Sequence, residues 1–510
     1  MTAIDHTATE REPAASGSGA GQAEHVSVLV VGAGISGIGV AYHLSRRFPD
    51  KDFVVLEARD TFGGTWTVNR FPGVRSDSDM YTFGYSFKPW LKDELATAGQ
   101  IRAYLSEVIA DNDLGRYIHY RHRVTSARWS SDIQRWTVTV RRETDGADLT
   151  YTADFVWMCQ GYYRQDQGFT PGWPGMSEFA GTIVHSLTWP DDLDYSGKRV
   201  VVIGSGATAA TLVPAMAAGG AAHVTMLQRS PTYYISSPKS NETAELLRSV
   251  DTPEEWTHEI VRRLILKRAR EMREKRDQAP AKMQQWYIDQ ARAALPAGYN
   301  VERHFTPRYQ LGKQRICRIP EGDLFAAISA GTASVVTDTI DTFTPSGIRL
   351  SSGETLEADI IVTATGFHLS VMGDIPFFVD DEPVDWSRTV TYHGIMFTGV
   401  PNLAYIFGYW RSSWTLRVDL ITDLICRLFE HMSDRGATTV TPVLRDDEAD
   451  MPLRPWTDPD DFNPGYLLRS LHKVPRQGDR MPWRGTDVGY FEERDILPAA
   501  DFEDGTLSFK

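Results

Sequence analysis

Val26-Ser-Val-Leu-Val-Val-Gly-Ala-Gly-Ile-Ser-Gly37 reads as a strand, a turn and the start of a helix that runs through Arg47. The β-branched run predicts a buried strand, and Gly32-x-Gly34-x-x-Gly37 predicts the tight turn that opens a βαβ unit. Gly32 permits the turn, Gly34 lets a pyrophosphate approach backbone N–H groups, and Gly37 lets helix pack closely on strand. The helix N-terminus adds partial positive charge beneath the phosphates. Glu57 ends the next strand, Phe53-Val-Val-Leu-Glu57, about 20 residues past the third glycine. A carboxylate at that corner accepts hydrogen bonds from ribose hydroxyls and repels a 2′-phosphate. The site therefore suits the unphosphorylated ADP ribose of FAD or NAD.

The same design returns at Arg199-Val-Val-Val-Ile-Gly-Ser-Gly-Ala-Thr-Ala209. Gly204 and Gly206 make the turn, and Thr208 and Ala209 start the helix. Here the second strand, Val224-Thr-Met-Leu-Gln-Arg-Ser230, carries Gln228 and Arg229 where an acid would select NAD. A cation at that corner pairs with a 2′-phosphate, so this site suits NADPH, with Thr208 and Ser230 as further hydroxyl donors. Two such units predict an α/β chain with two Rossmann-like dinucleotide-binding domains. Together they predict FAD receiving two electrons from NADPH.

Composition narrows the remaining classes. The chain has 510 residues, 42% hydrophobic and 24% charged, the balance of a soluble globular protein of about three domains. A net charge of −14 argues against nucleic-acid binding by global attraction. Cys159, Cys317 and Cys426 are too few and too scattered for a disulfide framework or a zinc site. No CxxC occurs, which counts against a dithiol reductase. Residues 1–25 read as a disordered polar tail rather than a signal peptide. The apolar stretch Val26–Leu44 is broken by glycines, so no transmembrane segment is expected and the cytoplasm is the default compartment.

The order of signals places an FAD-binding domain at residues 26–150 and 385–510. An NADPH-binding domain would occupy 151–235 and 320–384, with a charged helical insertion at 236–319. In that insertion Ile260, Leu264 and Ile265 fall near helical spacing. The basic run Lys267 to Arg276 reads as a solvated helical face.

Two longer patterns separate the flavin and NADPH enzymes. One is Gly63-Gly64-x-Trp66-x4-Phe71-Pro72-Gly73-x3-Asp77, just after the first turn. The other is Phe179-x-Gly181-x3-His185-x3-Trp189-Pro190, just before the second. Both match fingerprints of type I Baeyer–Villiger monooxygenases, which the chain resembles. Arg75-Ser-Asp-Ser-Asp-Met-Tyr81, Gly161-Tyr-Tyr163, Leu227-Gln-Arg-Ser-Pro-Thr-Tyr233, Ser413-Trp-Thr-Leu-Arg417 and Gln477-Gly-Asp-Arg480 are similar to the ethionamide-activating subgroup. The resemblance runs from residue 26 to beyond residue 485.

The resemblance implies that NADPH reduces FAD and that reduced flavin and O2 form a C4a-peroxide. Attack of that peroxide on a ketone gives an ester or lactone, with sulfoxidation as a side activity. The alternative is a sulfur- or nitrogen-oxygenating flavin monooxygenase; a non-catalytic nucleotide-binding module is disfavoured by two complete turns. A fixed cation keeps the peroxide anionic and stabilises the alkoxide formed on attack. Family likeness assigns that cation to Arg315, with Arg318 its nearest competitor and Asp77 to orient and tune it. Relatives carry a lysine directly before this arginine; here Gln314 stands there and Lys313 one place earlier. That departure leaves open which group besides Arg229 reads the NADPH phosphate. His185 is expected to hold a hinge by bonding two backbones, stiffened by Trp189-Pro190. Gly64 and Trp66 would lie near the flavin, and Thr365 and Gly366 would close the NADPH domain near the cofactors. Tyr409, Trp410 and Trp414, which starts a helix, are candidates for the substrate pocket and flavin edge. The partners implied are O2 and a small ketone or thioether.

Overall fold

The computed structural model describes residues 23–485 and 487–510. Most of the tail expected at 1–25 lies outside the described residues, and the first strand already starts at Glu24. That strand, Glu24–Val31, runs parallel to Phe53–Leu56 on one side and to Ala147–Met158 on the other. Ile118–His119 continues the sheet beyond Phe53–Leu56. Helix Ile35–Arg47 packs over the sheet, burying Ile38, Val40, Ala41 and Leu44. On the far side His122–Ser130, Arg135–Arg142 and Ala147–Met158 form an antiparallel meander. Later segments complete this sheet: Phe377–Val379 pairs with His122–Ser130, and Leu403–Tyr405 pairs with Ala147–Met158.

The second sheet is wholly parallel, in the order Ala333–Thr337, His223–Gln228, Arg199–Ile203, Ile360–Thr363, Thr182–His185. Its central strands are buried on both faces, which is why Val200-Val-Val-Ile203 and Ile360-Ile-Val362 read as unbroken apolar runs. Two Rossmann-like units thus exist, as the paired glycine turns predict.

Several expected domain borders move. The border at 150 cuts a single strand, since Ala147–Met158 belongs whole to the first sheet. Its first half alternates polar and apolar residues at a sheet margin, so it does not read as buried strand. The return to the first domain comes before the expected 385, because Phe377–Val379 and Glu382–Pro383 already pair within its sheet. Tyr163–Gly168 and Phe367–Leu369 form an antiparallel ribbon that carries the chain out of the first domain and back.

The insertion rises from a two-stranded base, Tyr234–Ser237 beside Cys317–Pro320, so its expected ends at 236 and 319 are strand rather than helix. Its longest helix, Glu254–Gln278, buries only Thr257, His258, Val261 and Arg262. Arg262 donates to the Tyr81 carbonyl at 2.7 Å, docking the helix on the first domain. The outward residues form i,i+4 ion pairs, Arg263–Glu259, Lys267–Glu271 and Arg270–Glu274. Four of the six cations in the basic run are ion-paired among the described residues, and Arg273 reaches Glu492 beyond its own helix at 2.6 Å. No helix among the described residues is long and apolar enough to cross a membrane.

The C-terminal helix Thr415–Arg435 lies in the same core as Ile35–Arg47, through Val418, Ile421, Leu424 and Ile425. Arg417, at its start, is 1% exposed and forms an ion pair with Glu493, 2% exposed, at 2.8 Å. Its other donors reach the Phe407 and His393 carbonyls, each at 2.8 Å. Removing Glu493 leaves this guanidinium charged and unpaired in the core. Glu493→Ala should therefore cost about 3–5 kcal/mol, seen as a lowered unfolding temperature in calorimetry; an unshifted transition would contradict the assignment.

Candidate active site

The first turn has the close contacts its glycines require. A Cβ on Gly37 would lie 1.9 Å from the Gly32 carbonyl oxygen, so helix and turn touch as only glycine permits. Gly34 precedes the helix, and a Cβ there would meet only Gly64 Cα, at 3.8 Å. Gly64 belongs to the fingerprint that follows, so two bare backbone surfaces face each other at a helix N-terminus. That is a cradle fit for a pyrophosphate. Glu57 is buried beside it; Oε2 accepts the Ala33 N–H at 2.8 Å and Oε1 the Arg59 N–H at 2.9 Å. Burial pushes its carboxyl above the usual range, against the pull of those two N–H groups. A carboxylate has about four acceptor positions, so lone pairs remain for ribose hydroxyls. Trp66 is half-buried and meets Phe83 edge-on at 5.6 Å.

At the second turn Gly206 starts the helix Ala207–Ala218, and no atom lies within 4 Å of a Cβ built there. Thr208 is half-buried in the first helical turn and Ala209 is fully buried. Gln228 points inward, donating to the His304 carbonyl at 2.8 Å and to Thr337 Oγ1 at 2.9 Å. Arg229, the next residue, is exposed and has no ion-pair partner among the described residues. The Ser230 carbonyl accepts from Ser205 Oγ at 3.1 Å, which ties this strand end to the glycine turn. Lys313 donates to the Asp460 carbonyl, so it reaches the C-terminal part instead.

Between the two domains, Asp77 and Arg315 meet. Arg315 Nη2 donates to Asp77 Oδ1 at 2.9 Å, with side chains 42% and 22% exposed. The nearby carboxylate holds the guanidinium's pKa above its ordinary value, outweighing desolvation. Arg318, the competitor, is already engaged by Glu94 Oε1 at 2.5 Å and Ser237 Oγ at 3.0 Å. Tyr162 and Tyr466 lie in the electrostatic surroundings of Arg315. Tyr162 stacks on Trp414 at 5.4 Å and meets Trp410 edge-on at 5.6 Å. Trp410 in turn donates to Thr457 Oγ1, and Trp414 to Ser36 Oγ at 2.8 Å in the first glycine turn. Aromatic rings therefore link Tyr162 to the first nucleotide turn.

The structure places Tyr409 elsewhere. Its hydroxyl donates to Glu493 at 2.6 Å, inside the core network around Arg417. It is a core residue, not a candidate for the pocket wall.

His185 ends the strand Thr182–His185 at the edge of the second sheet, with its ring against Gly168 of the interdomain ribbon. Nδ1 accepts the Leu187 N–H at 3.0 Å and Nε2 donates to the Gly366 carbonyl at 3.1 Å, a neutral tautomer assigned from its partners. Burial lowers its pKa, against the pull of the backbone acceptors. Thr365 Oγ1 donates to the Phe169 carbonyl at 2.5 Å, and the Phe169 N–H returns to Gly366. Trp189 packs half-buried against the core of the second domain.

Two residues of this region carried no assigned role in the sequence. Tyr162 stood inside Gly161-Tyr-Tyr163 without one, and Tyr466 lies in a turn-rich stretch with no periodic signal. Only the folded chain brings them into the electrostatic surroundings of Arg315.

Comparison with known proteins gives the family and the fold. Residues 94–397 match the model of the flavin-binding monooxygenase-like family, and residues 30–96 match an NAD(P)-binding Rossmann-like domain. The FAD-containing monooxygenase EthA of Mycobacterium tuberculosis is 44% identical over 487 residues, covering 95% of this chain and 98% of that protein. The probable FAD-binding monooxygenase AlmA of Acinetobacter baylyi is 42% identical, covering 95% and 96%. Among solved structures, an oxidized steroid monooxygenase bound to NADP superposes with a TM-score of 0.74 at 23% identity, covering 95% of this chain and 99% of that one. A cyclohexanone monooxygenase from Rhodococcus superposes at 0.73 with 19% identity, covering 96% and 100%, and like the former speaks to fold. The chain belongs to the flavin-binding monooxygenase-like family and is a flavin-dependent monooxygenase.

Proposed function

We propose that this monooxygenase uses FAD, NADPH and O2 to insert one oxygen atom beside a ketone carbonyl, giving an ester or lactone, and that it oxidises thioethers as a second activity. The observation that carries this reading is the Asp77–Arg315 pair at the junction of the two nucleotide domains. Bound FAD, reduced by NADPH, supplies the oxygen-activating chemistry. The chain's own residues do the rest. The cradle of Gly34 and Gly64, with Glu57 behind it, binds the pyrophosphate and ribose of FAD. Arg229, with Thr208 and Ser230, holds the 2′-phosphate of NADPH at the second turn.

Arg315 serves as a fixed positive charge where negative charge builds on the carbonyl oxygen under attack. Asp77 aims it. A cation in that place favours attack on an electrophilic carbonyl, which needs charge stabilisation, over oxygen transfer to a soft sulfur. Tyr162, Trp410 and Trp414 form the apolar side that limits water access.

Two substitutions test the assignments. Arg315→Ala should keep the yellow flavin and NADPH-driven reduction yet lower ester yield from a ketone such as phenylacetone by about 100-fold or more. Normal ester yield would remove Arg315 from the role, whereas brisk sulfoxide formation with no ester from any ketone, in the unaltered enzyme, would replace the ketone reading by the thioether one. Arg229→Ala should lose a charge-assisted phosphate contact worth about 1.5–3 kcal/mol, raising KM for NADPH far more than for NADH. An unchanged preference between the two coenzymes in steady-state kinetics would contradict this placement.

A further inference from the structure

The loop that ends at Asp77 crosses between domains at more than one point. Phe71, 7% exposed, is buried in the second domain's core with Val200, Ala209 and Val213. Gly73 lies against the helix Ala207–Ala218, where a Cβ would come within 2.6 Å of Ala215 Cβ. On its own side the loop is rigid: Arg75 bridges Thr97, the Ser76 N–H donates to the Ala96 carbonyl at 2.8 Å, and the Ala98 N–H donates to Val74 at 3.0 Å.

From this strip Arg75 reaches the second domain. Its Nη1 donates to Asp323 Oδ2 at 2.5 Å and its Nη2 to Oδ1 at 3.2 Å. Asp323 follows the strand Cys317–Pro320 and the turn Glu321-Gly322, so it is anchored to the segment that begins at Arg315. Two residues on one loop thus pair with two ends of one short segment, and with opposite polarity: Arg75 with Asp323, Asp77 with Arg315. Sliding the domains one way along this loop brings Arg75 towards Arg315, and sliding them the other way brings Asp77 towards Asp323, like charge towards like in each case.

The two pairs differ in strength. Asp77–Arg315 is one hydrogen bond on a side chain 42% exposed, a geometry worth little by itself. Arg75–Asp323 is bidentate and more enclosed, 16% and 30% exposed. The second pair can hold the first in place; the reverse does not follow.

We propose that Arg75 and Asp323 are positioning residues, a cross-domain clamp that holds Arg315 against Asp77 while oxygen is transferred. This rests on the reading of Arg315 given above. Loosening the clamp leaves nucleotide binding and NADPH oxidation intact and lets reducing equivalents escape as H2O2, because a displacement of about 1 Å at a reacting centre can cost about 100-fold in rate.

The test is a double-mutant cycle on the FAD-loaded enzyme with Asp323→Asn, Arg75→Gln and the two combined, beside Arg315→Ala. Product and H2O2 are measured per NADPH oxidised, with phenylacetone and thioanisole as probes. Asparagine keeps the acceptor for the Leu324 N–H, now 2.9 Å from Asp323 Oδ1, and Phe71 and Gly73 still join the domains, so these variants should fold. Each single variant should raise the H2O2 share by about threefold or more, with KM for NADPH within about twofold. The double variant should be no worse than either single, the sign of one interacting unit. Arg75→Lys should recover part of the coupling. Unchanged H2O2 share in Asp323→Asn, with product lost in Arg315→Ala, overturns the clamp alone. Product retained in Arg315→Ala overturns the reading of Arg315 and the clamp with it. Additive losses, or a KM for NADPH that rises with the uncoupling, would make the pair a general structural contact and also overturn the proposal.

Discussion

Phe71 belongs to the first domain by chain order and to the second by packing, and that single insertion constrains everything between the two nucleotide turns. An enzyme that passes electrons from one dinucleotide to another must hold two binding sites at a set separation, although each sits on its own sheet. Burying an aromatic ring of one domain in the core of the other supplies non-directional cohesion. The charged pairs that follow within six residues of chain then supply direction. Apolar contact keeps the domains together; the ion pairs set their register.

Charge is used in two distinct ways. Arg417 and Glu493 are sealed in the C-terminal core, with every donor of the guanidinium's inner face matched by a carboxylate or carbonyl. Such a pair shapes a unique core and offers nothing to a ligand. Arg315 and Arg229 are both exposed, the first held by one carboxylate and the second by none among the described residues. A guanidinium left half-satisfied at a domain junction can act on a guest, and one left open beside a glycine turn can bind a phosphate. The same residue type is structural or functional according to how many of its donors the protein already occupies.

The ribbon of Tyr163–Gly168 and Phe367–Leu369 shows how a hinge is made stiff without bulk. His185 spans Leu187 and Gly366 as a neutral ring, and the bare backbone of Gly168 gives it room, since a Cβ there would fall 1.9 Å from the ring. Glycine at that position lets the imidazole lie flat against the strand it ties down.

Much was legible in the residues alone, and the reason is locality. The turns at Gly32 and Gly204 are dictated by contacts within a few residues or across one neighbouring strand, so spacing suffices to read them. Buried parallel strands announce themselves by unbroken Val and Ile, and Glu57 and Arg229 stand at chain positions set by that same βαβ geometry. What the tertiary structure decided has long sequence separation. Asp77 meets Arg315 across 238 residues, and the fold gives Arg318 a different partner, Glu94. It also turned Tyr409 into the core and brought Tyr162 and Tyr466 into the electrostatic surroundings of Arg315. It shifted the domain borders too, because a half-exposed strand looks like a loop until its partners are known. Local sterics act between neighbours in the chain, whereas ion pairs and ring contacts form between neighbours in space.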